Sequence, residues 1–426
     1  MDIKNILIFP CGSECGLEIF QALQYEKYVK VYGASSLENN PGPFVYGNYI
    51  SGLVPYITEP VFIKAFNELL KRYKIDYIFP ALDSVALFLA EHQSELFSRV
   101  ISSSYETNFI CRSKKRTYER LAGVIAVPKL FRPDTVTEQM LPLFLKPDVG
   151  QGSIGTVLAK DMETVRYFTS RNIDLLVMEY LPGREYTIDC FTDRHGKLRF
   201  VGGRERRRIK SGISVNSIRV RDARFTEWAE KINGVIPFRG GWFFQVKERG
   251  SGEFVLMEVA SRMAGTSALA RNRGANLPLL SLYDAMDIDV TILENDVENE
   301  IDRTFINRFR MGFEFDTVYC DFDDCLIVRD KVNTGLLEFL YRCLNEGKRL
   351  VLLTRHAEDI HVSLRKYRLS DLFDEVINIQ NGEQKSEYVR GPGAIFIDDS
   401  HRERVDVAAK CAVVSFGPDA VIMTRV

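Results

Sequence analysis

The sequence has no Cys-x-x-Cys pair, no His-Glu-x-x-His run, no long apolar stretch and almost no surplus charge. Its eight cysteines (Cys11, Cys15, Cys111, Cys190, Cys320, Cys325, Cys343 and Cys411) are scattered over 426 residues. A chain of this size can build its own core, so that spread reads as reduced thiols, not a disulfide framework. The five histidines are equally dispersed. No clustered soft ligands for zinc result, and any metal is expected to be a hard cation on carboxylates. Lys plus Arg total 56 against 58 for Asp plus Glu. That balance provides no field to draw nucleic acid or an anionic membrane surface, so neither partner is expected. No run approaches the roughly 18 apolar residues that span a bilayer. The opening MDIKNILIFP passes straight into an apolar run without a basic leader, and a cytoplasmic location is expected.

What is present is ordinary globular material, 46% hydrophobic and 27% charged, long enough for two or three domains. Asn5–Pro10, Val29–Gly33 and Ile75–Pro80 are short apolar runs that predict strands. Between them Phe62, Ala65, Phe66, Leu69 and Tyr73 recur at helical spacing. Strands alternating with helices predict a parallel sheet with covering helices. Gly12 and Gly16 follow the first run, spaced GxxxG and not GxGxxG. A tight strand-to-helix turn in a scaffold fits this better than dinucleotide binding. Further on, CRSKKRTYERL at 111–121 predicts a basic helix, and ENDVENEID at 294–302 predicts a solvated loop. The strand-like INRFRM comes next, and TVYC at 317–320 opens a second αβ series.

Three runs between 140 and 190 belong together: LPLFLKPD with Lys146, GQGSIG at 150–155, and LLVMEYLPGREYTID at 175–189. Glycines such as Gly152 let backbone N–H groups approach phosphate oxygens, Ser153 adds a hydroxyl, and Lys146 adds a charge. The turn after LLVMEY exposes backbone groups suited to an adenine edge, and Glu185 can accept from ribose hydroxyls. In FFQVKERGSGEFVLMEVASRMAGTS, Gln245 and Glu258 are expected to face each other across a hairpin and hold Mg²⁺, with Arg262 stabilising a transferring phosphoryl group.

In this order the motifs resemble the ATP-grasp superfamily, especially carboxylate–amine ligases similar to the carbamoyl-phosphate-synthase large chain. The resemblance covers about residues 1–313, with IFPCGSECGLEI, CRSKKRTYERL and EVASRMAG completing the set. It implies nucleotide contacts at Lys114, Lys146, Glu179, Leu181 and Glu185, magnesium at Gln245 and Glu258, and phosphate contact at Arg262. It also implies that Arg204 or Arg206, within the basic run RERRRIK, points toward the triphosphate or an acyl phosphate. The remaining arginines of that run read as a solvated strand edge. One departure is Ala260, where many members carry a metal-binding Asn. It keeps open a reading in which this part senses nucleotide and ligates nothing.

DTVYCDFDDCLI places Asp321 and Asp323 at the end of an apolar strand, where active sites of open α/β sheets lie. Spacing of two turns both carboxylates to one side. One can then attack phosphorus while the other handles protons. RLVLLT ends in Thr354, a phosphoryl donor, and Lys385 offers charge. AIFIDD supplies Asp398 and Asp399 as metal ligands beside Asp321 and Asp323. An amphipathic helix built on Leu336, Phe339, Leu340, Cys343 and Leu344 is expected to stop at Gly347. This ordered set looks like the haloacid-dehalogenase (HAD) phosphatase superfamily over roughly 314–426. The resemblance implies Asp321 as nucleophile, Asp323 as general acid/base, Thr354 and Lys385 as phosphate binders, and Asp398 with Asp399 at magnesium. Cys325 and Asp324 stand where Thr and Gly are common. The intervals 322–353 and 355–384 leave no room for an inserted cap.

The expectation is therefore a multidomain α/β protein: an αβ domain over 1–110, an ATP-grasp α+β domain over 111–313, and a capless Rossmann-like HAD domain over 314–426. Its expected work is bifunctional: ATP-dependent, ADP-forming ligation of a carboxylate to an amine, and Mg²⁺-dependent hydrolysis of a phosphate monoester. The resemblance further implies a homodimer. The alternative is a nucleotide sensor or substrate-recognition module attached to the phosphatase.

Overall fold

In the computed structural model, which describes residues 2–150, 152–171, 174–250, 252–310, 312–421 and 424–425, contacts divide the chain into two units, Met1–Thr304 and Phe305–Val426. The first unit opens with β1 (Lys4–Phe9), β2 (Val29–Gly33), β3 (Asn48–Tyr49), β4 (Tyr77–Pro80) and β5 (Arg99–Val100). They form a parallel sheet in the order β3-β2-β1-β4-β5. Alternation along β1 explains its two covers. Ile6 and Ile8 pack with Cys15, Ile19 and Leu23 of helix α1 (Glu14–Leu23), while Leu7 and Phe9 pack with Phe62, Phe66 and Leu70 of the helix Phe62–Arg72. α1 starts where it does because Ser13 Oγ accepts from the Gly16 backbone N–H. Gly16 is there for space: a Cβ would lie 2.7 Å from the Cys11 carbonyl oxygen.

The basic segment at 111–121 is two helices, Tyr105–Arg112 and Lys114–Leu121, because Ser113 breaks the first and caps the second. An antiparallel sheet follows, made of β6 (Leu130–Phe131), β7 (Leu143–Pro147), β8 (Val157–Ala159) and β9 (Leu175–Glu179) in the order β6-β9-β7-β8. The largest sheet contains β10 (Glu185–Thr192), β11 (Leu198–Lys210), β12 (Ile213–Val220), β13 (Gly240–Glu248), β14 (Phe254–Ala260) and β15 (Glu300–Asp302). It is antiparallel in the order β14-β13-β10-β11-β12-β15. One face is apolar: Ile188, Cys190, Trp242 and Phe244 pack on Phe225, Ala229 and Ile232 of the helix Ala223–Val235. Period-two alternation then turns Glu185, Thr187, Gln245 and Arg204 to the other face.

The existence of β15 corrects the solvated-loop expectation at 300–302 alone, since 294–299 are irregular and 294–298 exposed, as expected. Glu300 and Asp302 both accept from Asn216 Nδ2, and Asp302 also accepts from Arg208, so partners on the sheet turn an acidic run into an edge strand.

The second unit adds β16 (Phe309–Arg310), β17 (Thr317–Cys320), the hairpin β18 (Ile327–Val328) and β19 (Lys331–Val332), then β20 (Arg349–Thr354), β21 (Glu375–Asn378), β22 (Ala394–Ile397), β23 (Val414–Phe416) and β24 (Thr424–Arg425). Its main sheet is parallel, in the order β21-β20-β17-β22-β23, and β16 pairs with β24. Val318, Cys320, Leu350 and Leu352 face one buried cluster, while Tyr319, Val351, Leu353 and Phe396 face another. The helix Thr334–Asn345 ends beside Gly347, whose φ of +74° lies in the left-handed region. Among the described residues no helix is long and apolar enough to cross a membrane.

Candidate functional site

A cleft of about 470 Å³ opens over the polar face of the six-stranded sheet. Backbone register places Glu258, Gln245, Thr187 and Arg204 in one row across β14, β13, β10 and β11. Gln245 and Glu258 thus face each other as the hairpin pattern predicts. A register shift beside them leaves Met257 without a cross-strand partner. Its carbonyl oxygen instead accepts from Lys146 Nζ at 3.0 Å and from the Tyr118 hydroxyl at 2.7 Å. Lys146 is only 5% exposed. Burial, with Lys114 nearby, pushes its ammonium down to about 7. Lys114 opens its helix and lies below the ordinary lysine range, again chiefly through burial. Among the described residues Glu258 has no hydrogen-bonded or ion-paired partner; it is half-buried and open to the cleft.

Gly152 and Ser153 line the cleft, whereas Gln151 of the same run lies outside the described residues. The turn between β11 and β12 meets this segment: a Cβ on Gly212 would fall 2.4 Å from the Ser153 backbone nitrogen, and Gly212 has φ +79°. Gly212→Ala is therefore expected to push the two segments apart and cost roughly 1–2 kcal/mol in backbone strain. A several-fold weaker nucleotide affinity at unchanged fold, read by equilibrium binding and circular dichroism, is the expected result.

Several expected contacts are engaged within the protein. Arg206 Nη1 donates to Glu185 and, at 3.1 Å, to Gln245 Oε1, while Nη2 donates to the Gly212 carbonyl at 2.6 Å. Glu179 accepts from Arg249 Nη2 at 2.7 Å and from the Lys129 backbone N–H at 2.9 Å. Burial would raise its carboxyl, but these partners hold it below the ordinary range. Leu181 is buried and lines a small recess with Phe144, Met178, Glu179, Tyr180, Lys247 and Met257. Arg262 Nη2 donates to Asp83 at 2.8 Å, and Nη1 donates to Cys15 Sγ at 3.0 Å and the Met263 carbonyl at 3.1 Å. Burial alone would raise Asp83, yet the Arg262 guanidinium holds it below its usual value. Asp83 and Cys15 escape the sequence reading. The one signal for Asp83 is its place just beyond the end of β4. Ala260 is buried against Phe243 and Ala264, so an apolar cluster fills the position of the missing Asn.

The second unit carries its own cluster. Lys385 Nζ donates to Asp321 at 2.7 Å and Asp398 at 2.6 Å, all three buried. Burial would lower the ammonium, but the two carboxylates hold it above its ordinary value. Oxygens of Asp321, Asp398 and Asp399 lie within 4.8 Å of one another. Burial and the Asp398 charge outweigh Lys385 and push Asp321 up to about 6, and burial with Asp398 also raises Asp399. One ammonium does not neutralise three carboxylates, so the donor set suits a divalent cation. Thr354 Oγ1, at the end of β20, is buried and has no partner among the described residues.

Asp323, expected among the metal ligands, lies outside that trio. Its carboxylate is 2.9 Å from His356 Nδ1, whose Nε2 is 2.8 Å from Ser363 Oγ. His356 was not singled out in the sequence, since a lone histidine in a polar run carries no spacing signal. Asp324 sits at φ +54°, a conformation that accounts for glycine being common there and that Asp tolerates.

Comparison with known proteins bears on the first cleft. Residues 171–307 match the family model described as ATP-grasp in the biosynthetic pathway with Ter operon. No curated protein matches the chain in sequence. Similar solved structures include biotin carboxylase from Campylobacter jejuni, with 14% identity, 70% of this chain and 75% of that chain covered, and a TM-score of 0.58. N5-carboxyaminoimidazole synthetase from Staphylococcus aureus gives 16% identity, 69% and 82% coverage, and a TM-score of 0.55. L-amino acid ligase from Bacillus licheniformis gives 17% identity, 69% and 76% coverage, and a TM-score of 0.55. The chain is thus a mixed α/β protein that carries the ATP-grasp fold.

Proposed function

We propose that the first unit is an ATP-dependent carboxylate–amine ligase acting through an acyl phosphate. The observation that carries this reading is the lysine-floored cleft with free donors: Lys146 and Lys114 line it with the glycine segment, and among the described residues buried Arg206 Nε and Arg262 Nε have no partner. Unpaired buried donors cost about 1–3 kcal/mol each, so a site that keeps them suits an anionic ligand. Lys114, Lys146, Gly152 and Ser153 would hold the phosphates, the recess at Leu181 the adenine, and Glu185 the ribose. The unpartnered Glu258 and its neighbour Gln245 would hold Mg²⁺, which when bound offsets phosphate charge. A substrate carboxylate oxygen attacks the γ-phosphorus and the bond to the β,γ-bridging oxygen breaks, releasing ADP. An amine nitrogen then attacks the acyl carbon, and phosphate departs with the electrons of the C–O bond and takes up the proton the nitrogen sheds. ADP release on adding paired carboxylates and amines tests this. The burial of Ala260 in an apolar cluster favours the sensor instead, and nucleotide binding without turnover on any mixture would decide for it.

For the second unit we propose Mg²⁺-dependent hydrolysis of phosphate monoesters through an aspartyl phosphate on Asp321. The supporting observation is the Thr354 hydroxyl, buried and unpartnered among the described residues, at the end of β20 beside β17, the strand that leads into Asp321 of the Lys385–Asp321–Asp398 cluster. Asp321, Asp398 and Asp399 would hold the cation, whose charge shields nucleophile and phosphate from each other. The Asp321 carboxylate forms the O–P bond as the ester oxygen leaves, protonated by Asp323. Asp323 then takes a proton from water as that water attacks phosphorus and frees Asp321.

A further inference from the structure

We infer that the end of the cleft beyond the Gln245–Glu258 pair is an oxyanion subsite, built by Arg204, Thr187 and Arg303, which selects an acid substrate bearing a second anionic group. The inference deepens the ligase reading and rests on it for what becomes of the substrate, though not for its binding. Arg204 is 2% and Thr187 1% exposed, and they are directly paired across β10 and β11. Both line the cleft, and among the described residues Arg204 Nη1 and Thr187 Oγ1 have no hydrogen-bond partner. Arg303, one residue past β15, also lines the cleft with a buried, unpartnered Nη1. That atom lies 3.7 Å from where a Cβ on Gly265 would sit.

Charge pairing separates this end from the phosphate end. Arg204 is offset by Asp189 at 2.8 Å, Arg262 by Asp83 at 2.8 Å, and the nearby Glu18 by Arg271 at 3.1 Å. Arg303 has no ion-pair partner among the described residues, and the carboxylate nearest it in the lining is that of Glu14, whose Cβ lies 3.2 Å from the same Gly265 position. The triphosphate has its own cations in Lys114 and Lys146, and the next arginine along β11, Arg206, has both Nη atoms engaged by Glu185, Gln245 and Gly212 and keeps its Nε for that end. With Arg262 Nε free for the carboxylate to be activated, Arg204, Thr187 and Arg303 remain for another oxyanion. Guanidinium forks match a carboxylate or a phosphate equally well.

The test uses the full chain saturated with ADP and Mg²⁺, titrated calorimetrically with propionate, succinate and phosphoglycolate. At least one of the two dianions is expected to bind tenfold or more tightly than propionate; which one does identifies the second group as carboxylate or phosphate. Removing Arg204 would strand Asp189, so the informative variants are Thr187→Val and Arg303→Gln, with thermal melts as the check on folding. Each is expected to reduce the dianion advantage at least fivefold. Equal binding of all three acids, or an advantage that survives both variants, would overturn the subsite. A dianion advantage with no ADP formed from ATP and any amine would sink the ligase reading while the subsite stands. ADP formed equally well from propionate would do the reverse.

Discussion

Asp321→Asn is expected to bring Mg²⁺-dependent hydrolysis of p-nitrophenyl phosphate down to background. The amide keeps the size of the side chain in its buried setting and leaves Lys385 paired with Asp398 at 2.6 Å, so the fold is expected to survive. It lacks the charge, however, and an amide is a poor nucleophile and a weaker metal ligand. Asp323→Asn leaves the nucleophile in place and is expected to slow turnover by roughly 10²–10⁴, the usual worth of a positioned acid/base. That variant also gives the best chance of trapping a phosphoryl group on Asp321 by rapid acid quench, because nothing remains to activate the second water. EDTA is expected to stop the wild-type reaction, since three clustered carboxylates repel a phosphate dianion without a cation. Metal-independent turnover, or a phosphoryl group on another residue, would overturn the mechanism.

The chemistry legible in the sequence is the chemistry that sits at the ends of apolar runs. Thr354 closes β20, and Asp321 and Asp398 follow β17 and β22 directly. A parallel sheet brings such ends to one edge, so order and strand context suffice to assemble Asp321, Thr354 and Asp398. The Gln245–Glu258 pairing is legible for a similar reason, because a hairpin fixes which residues oppose. What escapes is polar pairing at long range. His356 reaches Asp323, Asp83 reaches Arg262, and Arg249 reaches Glu179 through side chains whose meeting depends on the whole fold. No local period encodes these contacts, and each changes which group is free for a ligand. The edge strand β15 was hidden likewise: Glu300 and Asp302 look like loop residues until Asn216 and Arg208 are placed opposite them. Arg303, just past that strand, entered no motif at all.

Lys146→Ala and Glu258→Gln are each expected to cut ATP-dependent ADP formation by about 10²-fold or more, the scale set by losing one preorganised electrostatic group. Lys146 is the buried cation beside the glycine segment, and among the described residues its one hydrogen-bond acceptor is the Met257 carbonyl at 3.0 Å. Removing it leaves that carbonyl still bonded to Tyr118 at 2.7 Å, so the loss falls on phosphate binding more than on stability. Lys146→Met, which retains most of the side-chain bulk, is expected to match the alanine variant and so separate charge from packing. Glu258→Gln preserves shape while weakening the metal position, and raised Mg²⁺ is expected to restore part of its activity but none of that of Lys146→Ala. Hydrolysis of p-nitrophenyl phosphate is expected to persist in all three, because Asp321, Asp323, Thr354, Lys385, Asp398 and Asp399 all belong to the unit Phe305–Val426. Undiminished ADP formation in both Lys146→Ala and Glu258→Gln would refute the ligase site. Joint loss of ligation and hydrolysis would refute the independence of the two chemistries.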